Sequence, residues 1–136
     1  MLITKETDYA LRILRALAGG ERLTTEQLAR EEQIPRQFAY KILKKLSKGG
    51  LVRTLRGAGG GCVLAAGLKD VSFLRLLRTM EEDAYVSSCM KPGYRCLWCK
   101  EHGDAVCYAH THLSSIQEKL NRELESHSLW EILFAG

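Results

Sequence analysis

At 136 residues, with 46% hydrophobic and 26% charged side chains and a net charge of +4, the chain has the make-up of an ordinary soluble protein with one core and an appended element. That size leaves little room for two complete domains or an elaborate catalytic cleft, and no apolar run nears the ~20 residues that cross a bilayer. Lys5, Glu6 and Asp8 interrupt any apolar start, so no signal peptide is expected; a cytoplasmic location, with no membrane partner, is.

From Lys5 to Ala18 the apolar positions Ala10, Ile13, Leu14, Leu17 and Ala18 recur at helical spacing, and Gly19-Gly20 ends the pattern. Thr24 followed by Gln27 has the form of a capping box, which predicts a short helix over about Thr25 to Glu32. Gln33-Ile34 makes the turn, and Pro35 suits the first position of a third helix. Phe38, Ile42, Leu43 and Leu46 form its expected inward stripe, while Arg36, Gln37, Tyr40, Lys41, Lys44 and Lys45 face outward.

This third helix lies in a window, Gln33 to Lys69, that holds eight Lys and Arg residues and no acid, twice the net charge of the whole chain. The remainder is therefore net acidic. Concentrating one sign in this way costs self-repulsion and suits a polyanion better than it suits solubility, and the polyanion it points to is duplex DNA. A solvated helix face would mix both signs.

Gly49-Gly50 closes the helix, Leu51 to Leu55 alternates as a strand, and Cys62 to Ala65 returns as its partner after the glycine-rich turn Arg56 to Gly61. Two helices joined by a tight turn, then a hairpin, make a winged helix-turn-helix whose second helix enters the major groove. Arg36, Gln37, Tyr40 and Lys41 are expected at base edges, and Lys44, Lys45, Arg53 and Arg56 at phosphates. The wing glycines Gly57, Gly59 and Gly60 are counted with them as DNA-binding residues. The same glycines do not form a dinucleotide fingerprint, because a strand and not a helix follows them.

Val71 to Met80 reads as a fourth helix with Asp70 as its cap. From Ser87 to Tyr108 no apolar period survives. Helical spacing resumes at Leu113, Ile116, Leu120 and Leu124, a narrow stripe that suits a seam against the protein's own domain or a second copy. Ser128 to Phe134 reads as a short docking helix.

Four of the five cysteines fall in the aperiodic stretch, as Cys89-x6-Cys96-x2-Cys99-x7-Cys107, with His102, His110 and His112 nearby. In a reducing compartment such thiols are better read as metal ligands than as disulfides. A loop this poor in apolar residues can take its order from a bound centre. Thiolate is the soft ligand that both iron-sulfur clusters and zinc prefer, and the spacing does not choose between them. A metal-free loop of oxidisable thiols is the third reading. Cys62, on the wing, is a small packed side chain. An enzyme is the weaker class, since a Cys107-His110 pair has no orienting group or oxyanion site beside it.

Thr7-Asp8-Tyr9-Ala10-Leu11-Arg12, the run Gly50-Leu51-Val52-Arg53-Thr54 leading to Arg56-Gly57-Ala58-Gly59-Gly60-Gly61, and a late cysteine loop before a long helix together resemble the Rrf-type winged-helix transcriptional regulators, the IscR/NsrR/CymR-like family. The resemblance spans nearly the whole chain. It implies a homodimer whose long helices cross, each copy reading half of a near-palindromic operator. It also implies a 2Fe-2S or 4Fe-4S cluster held by three cysteines and one further ligand. On that pattern Cys89, Cys107 and one of Cys96 or Cys99 are ligands; His110 matches the histidine ligand of some members and Asp8 the carboxylate ligand of others. A fourth cysteine departs from the pattern, because an all-cysteine site needs neither His110 nor Asp8, and it keeps zinc open. Cys62 stands where an aromatic residue commonly follows the wing glycines.

The expected architecture is thus mainly α with a small β-hairpin: a winged helix-turn-helix DNA-binding domain over 1–86, a cysteine-rich sensor loop over 87–110, and a dimerisation helix with a C-terminal docking helix over 111–136. The expected function is a DNA-binding transcriptional regulator, a repressor, controlled by a cysteine-ligated iron-sulfur cluster or redox-sensitive thiols. The alternatives are a zinc-stabilised winged-helix regulator, or an iron-sulfur or redox protein whose winged domain binds protein and not DNA.

Overall fold

Thr4 starts the first helix, α1 (Lys5–Leu17), by accepting a hydrogen bond from the Thr7 backbone N–H at 3.4 Å. The structure, a computed structural model, describes residues 3–57, 60–81, 84–103 and 105–136. Tyr9, Ala10, Ile13, Leu14 and Leu17 of α1 are buried and form the floor of the core. The capping box that opens α2 (Thr25–Glu31) is present as expected: the Thr24 hydroxyl accepts from the Gln27 N–H at 3.1 Å, and the Gln27 side chain accepts from the Thr24 N–H at 2.8 Å. Gln33 takes a left-handed conformation, φ 54°, which turns the chain sharply into α3 (Arg36–Lys48).

Two expectations for α3 need correction. Pro35 occupies the capping position, with ψ 131°, and not the first helical residue. Ala39, not Phe38, completes the inward stripe with Ile42, Leu43 and Leu46. A small side chain lets α3 approach α1, and Phe38, 37% exposed, packs at the edge with its ring centroid 6.3 Å from that of Tyr9.

The hairpin pairs β1 (Val52–Leu55) with β2 (Gly61–Leu64) antiparallel, Arg53 opposite Val63 and Thr54 opposite Cys62. Leu23, in the α1–α2 connection, adds a short third edge by exchanging backbone hydrogen bonds with Cys62 at 3.2 and 2.8 Å. That edge explains a glycine. A Cβ on Gly61, whose φ is +156°, would stand 2.7 Å from the Leu23 carbonyl oxygen. One on Gly60 would stand 2.8 Å from the Leu55 carbonyl oxygen. Cys62 is buried, which pushes its thiol up to about 11 and leaves it an inert packed side chain. Gly59 lies outside the described residues.

A 3-10 turn, Leu68–Asp70, leads to α4 (Phe73–Met80), which covers the back of the winged unit with Phe73, Leu74, Leu76, Leu77 and Met80. Its cap is Ser72, accepting from Arg75 N–H at 3.1 Å, and not Asp70, which belongs to the turn. After a second 3-10 turn, Ser88–Met90, come α5 (Leu97–Glu101), the long α6 (Tyr108–Ser126) and α7 (Leu129–Phe134). Helix α6 begins five residues before Leu113, because Cys107 caps it. Its inward side is Gln117, Leu120 and Leu124; Ile116, placed by its spacing in the seam, is 52% exposed. The lower end of α6 is pinned to α4 by two backbone bonds of 2.8 Å, Phe73 N–H to His127 O and Leu129 N–H to Val71 O. Leu129 inserts fully into the core. Among the described residues no helix is long and apolar enough to cross a membrane.

Candidate nucleic-acid interface and thiol pocket

Helix α3 presents Arg36, Gln37, Tyr40, Lys41 and Lys44 on its exposed side, and β1 presents Arg53, with Arg56 at the wing. A groove of about 800 Å³ runs between α3 and the hairpin, lined by Tyr40, Lys41, Lys44, Lys48 and Thr54 among others. It follows from the fold: α3 packs on α1 through its inward stripe, which leaves its other side to face the hairpin. Gln37, Lys44, Arg53 and Arg56 are exposed, and among the described residues they have no intramolecular partners. Gly57 adopts a left-handed φ of +99° and has open space around it, so its backbone is accessible. Gly60, crowded by Leu55, serves the shape of the turn.

Two carboxylates from outside the acid-free window return to this face, and the linear charge pattern gave no sign of either. Glu6 of α1 binds the Lys41 ammonium at 2.7 Å and the Lys45 ammonium at 2.8 Å. Lys45 also donates to the Met80 carbonyl at 3.1 Å, so it fastens α3 to α1 and α4 more than it faces outward. Glu26 of α2 accepts from Arg36 at 2.9 Å and from the Tyr40 hydroxyl at 2.7 Å.

The hydrogen bonds from Lys41 and then Lys45 hold the Glu6 carboxyl below the usual glutamate range. A group whose folded pKa is depressed stabilises the fold fully above its unfolded value and loses that contribution as pH falls through the folded one. Below a pH of about 4.5 the intact protein should therefore lose stability to protonation at Glu6. In Glu6→Gln that part of the acid limb should be absent when unfolding is followed against pH; an unchanged acid limb would contradict the assignment.

The second cluster lies among the second 3-10 turn, α5 and the start of α6. Cys89, Cys96, Cys99 and Cys107 line one cavity of about 320 Å³ together with Tyr94, His110 and Thr111. The 3-10 turn delivers Cys89, α5 delivers Cys96 at its cap and Cys99 inside it, and Cys107 caps α6 by accepting from His110 N–H at 3.4 Å. Of the three nearby histidines, only His110 lines the cavity. His102 instead stacks on Trp98, with ring centroids 4.3 Å apart. Asp8 lies on α1 in an ion pair with Arg12 at 2.9 Å, and does not line this cavity.

The Cys96 thiol is held below its ordinary value by the Cys99 backbone N–H, with further help from the Cys99 thiol and the Trp98 N–H. Cys99 is pushed up, first by its hydrogen bond with Cys96, then by burial and by the neighbouring charges of Cys96, Cys107 and Cys89. The Cys96 and Cys99 thiols thus act on each other. A soft donor set of four thiols and one imidazole around one cavity fits a thiophilic metal centre. Among the described residues, no group of three or more His, Cys, Asp or Glu is already set to hold a single ion.

A helix-turn-helix followed by a two-stranded hairpin, with exposed cations on the second helix and on the hairpin, defines a winged-helix protein. The chain belongs to the Rrf2 family, whose description is iron-dependent transcriptional regulator, and matches it over residues 3–134. It is 33% identical to Protein aau3 of Rhizobium meliloti, over 68% of this chain and 62% of that protein. It is 34% identical to the HTH-type transcriptional regulator NsrR of Bacillus subtilis, over 65% of this chain and 63% of that one. The match thus spans a little under two thirds of these two curated relatives. In fold it is similar to the oxidized form of Staphylococcus aureus CymR, with a TM-score of 0.69 at 19% identity, covering 98% of this chain and 97% of that one.

Proposed function

We propose that the chain is a dimeric repressor whose grip on its operator depends on an iron-sulfur cluster held by Cys89, Cys96, Cys99 and Cys107, with His110 as the further ligand when one thiol is released. The carrying observation is mechanical. The thiol pocket forms the start of α6, while the far end of α6 is pinned to α4 and the core of the winged unit. Order at the thiols is therefore connected to the frame that holds the recognition helix. The cluster, when bound, supplies positive charge and ligand bonds that the loop lacks, and it can respond to oxidants or to iron supply. The family's description as iron-dependent supports iron over zinc.

A second copy is the natural cover for the exposed apolar side chains beside the pocket: Leu97, Val106 and Tyr108, 60 to 73% exposed, and Ile116 on α6. In the dimer each copy places Gln37, Arg36, Tyr40 and Lys41 toward bases and Lys44, Arg53 and Arg56 toward phosphates, so two half-sites lie one helical turn or a multiple apart. On this reading the units are 1–86 for DNA, 87–110 for sensing and 111–136 for dimerisation, although α6 begins inside the second of these.

The deciding experiment is anaerobic purification with iron, sulfide and zinc analysis, followed by selection from a randomised duplex library. Iron with sulfide, and a selected near-palindrome, are expected. Zinc without sulfide would overturn the cluster, and affinity at the non-specific level of ~10⁻⁴ to 10⁻⁶ M for every duplex would overturn the regulator. On the selected duplex, Arg53→Ala and Arg56→Ala should each flatten the plot of log affinity against log salt by about 0.9 and weaken all sequences alike. A changed sequence preference at an unchanged slope would reassign these arginines to bases.

A further inference from the structure

The carboxylate of Glu26 sits where a DNA-binding surface would be expected to carry none. It is the second residue of α2, and one of its oxygens accepts from both Arg36, the first residue of α3, at 2.9 Å and the Tyr40 hydroxyl, one turn later, at 2.7 Å. The Arg36 guanidinium lies 5.7 Å from the Tyr40 ring centroid, so the three side chains form one unit on the reading face.

This unit adds little to the stability of the fold. The Arg36 and Glu26 side chains are 69% and 52% exposed, and an exposed ion pair contributes little to stability. The start of α2 is already secured by the Thr24–Gln27 capping box. The contrast with Glu6 is informative, because that carboxylate is mostly covered and one of its two lysines, Lys45, reaches back to Met80, whereas among the described residues the Glu26 unit makes no contact of that kind.

We infer that Glu26 is a specificity-determining residue: it withholds Arg36 and Tyr40 from phosphates and yields them only where a G·C pair supplies replacement partners. The inference rests on the DNA-binding reading above. Left alone, an arginine on a flexible stem takes any nearby phosphate and adds affinity without sequence information. Paired with Glu26 it can take a phosphate only by breaking the pair, which leaves a carboxylate facing the polyanion. That penalty is the same on every duplex. It is offset where guanine O6 and N7 accept from Arg36 and the cytosine N4 amino group donates to Glu26, since those atoms meet both charges. Lys44, Arg53 and Arg56, with no such restraint, supply the sequence-independent attraction.

The test uses the intact, metal-loaded protein and its Glu26→Gln variant, which keeps the side chain's size and removes its charge. Each is put through selection from the randomised duplex library, and then titrated with the wild-type-selected duplex and with a mixed-sequence duplex over a range of salt. Glu26→Gln is expected to bind the mixed-sequence duplex more tightly and to lose roughly tenfold in discrimination. Its mixed-sequence salt slope should steepen by about 0.9, one added phosphate contact, and the G·C requirement at one position per half-site should relax. Adding Arg36→Ala to Glu26→Gln should abolish the extra slope, and Glu118→Gln, the same change of net charge at an exposed position on α6, should not produce it. Unaltered discrimination and slope in Glu26→Gln, beside a wild-type protein that does discriminate, would overturn this inference alone; so would an extra slope that survives Arg36→Ala. A wild-type protein that discriminates between no duplexes would overturn the DNA-binding reading and this inference together.

Discussion

Cys107→Ser should keep α6 capped and still lose operator affinity, by about 1 to 3 kcal/mol, the usual size of coupling between two sites. The two roles of Cys107 separate cleanly in that variant. As a cap, its sulfur accepts the His110 N–H at 3.4 Å, and serine is a favoured cap residue that does this at least as well. As a soft ligand, thiolate has no substitute in a hydroxyl. Iron and sulfide content should fall with affinity, at one salt concentration, while helix content stays. Cys107→Ala removes both roles and should cost helical order as well. A metal-free Cys107→Ser protein that binds the selected duplex as tightly as wild type would make the thiol pocket structural and remove it from regulation.

The largest loss of stability is expected at the opposite end of α6. Leu129 is fully enclosed, and Leu129→Ala should destabilise the protein by about 2 to 5 kcal/mol, the range for a buried leucine whose cavity collapses only in part. Ile132, on the exposed side of the same short helix, should give a change of less than about 0.5 kcal/mol when truncated to alanine. Denaturant unfolding measures both. The position matters beyond its size, because Leu129 N–H and Val71 O form one of the two backbone bonds that pin α6 and α7 to α4. Near-equal losses at 129 and 132 would mean that α7 is not docked as described.

Most of the fold could be read from local signals, because the devices that start and stop its helices are local. The Thr24–Gln27 box and the Gly49-Gly50 stop each act within one turn of chain. Where two residues near each other could do the same job, local reading chose wrongly: Asp70 and Ser72 are both good caps, but Asp70 is taken up in the 3-10 turn, Leu68–Asp70, and Ser72 caps the helix. Phe38 and Ala39 present the same difficulty, since periodicity does not say that the gap beside α1 is one small side chain wide.

The cysteine cluster was visible as composition, and four thiols do meet in one cavity. Composition did not say which histidine joins them, because that depends on α6 starting at Tyr108, where the period is too polar to see; only the family resemblance pointed to His110. The carboxylates on the recognition face were the least visible of all. Glu26 lies 14 residues from Tyr40 and Glu6 lies 39 from Lys45, so a count of charge along the chain assigns them elsewhere, while the fold brings them back.

That separation between where the cations are written and where they are tempered bears on how such a protein can diverge. The side chains that would touch bases lie on α3, but the two acids that restrain them lie on α1 and α2. A lineage can therefore retune how eagerly the surface takes up DNA by exchanging a single acid on a neighbouring helix, with every base-reading position left as it was. Duplicated copies could drift apart in promoter choice in this way, and a comparison of their recognition helices alone would show no difference.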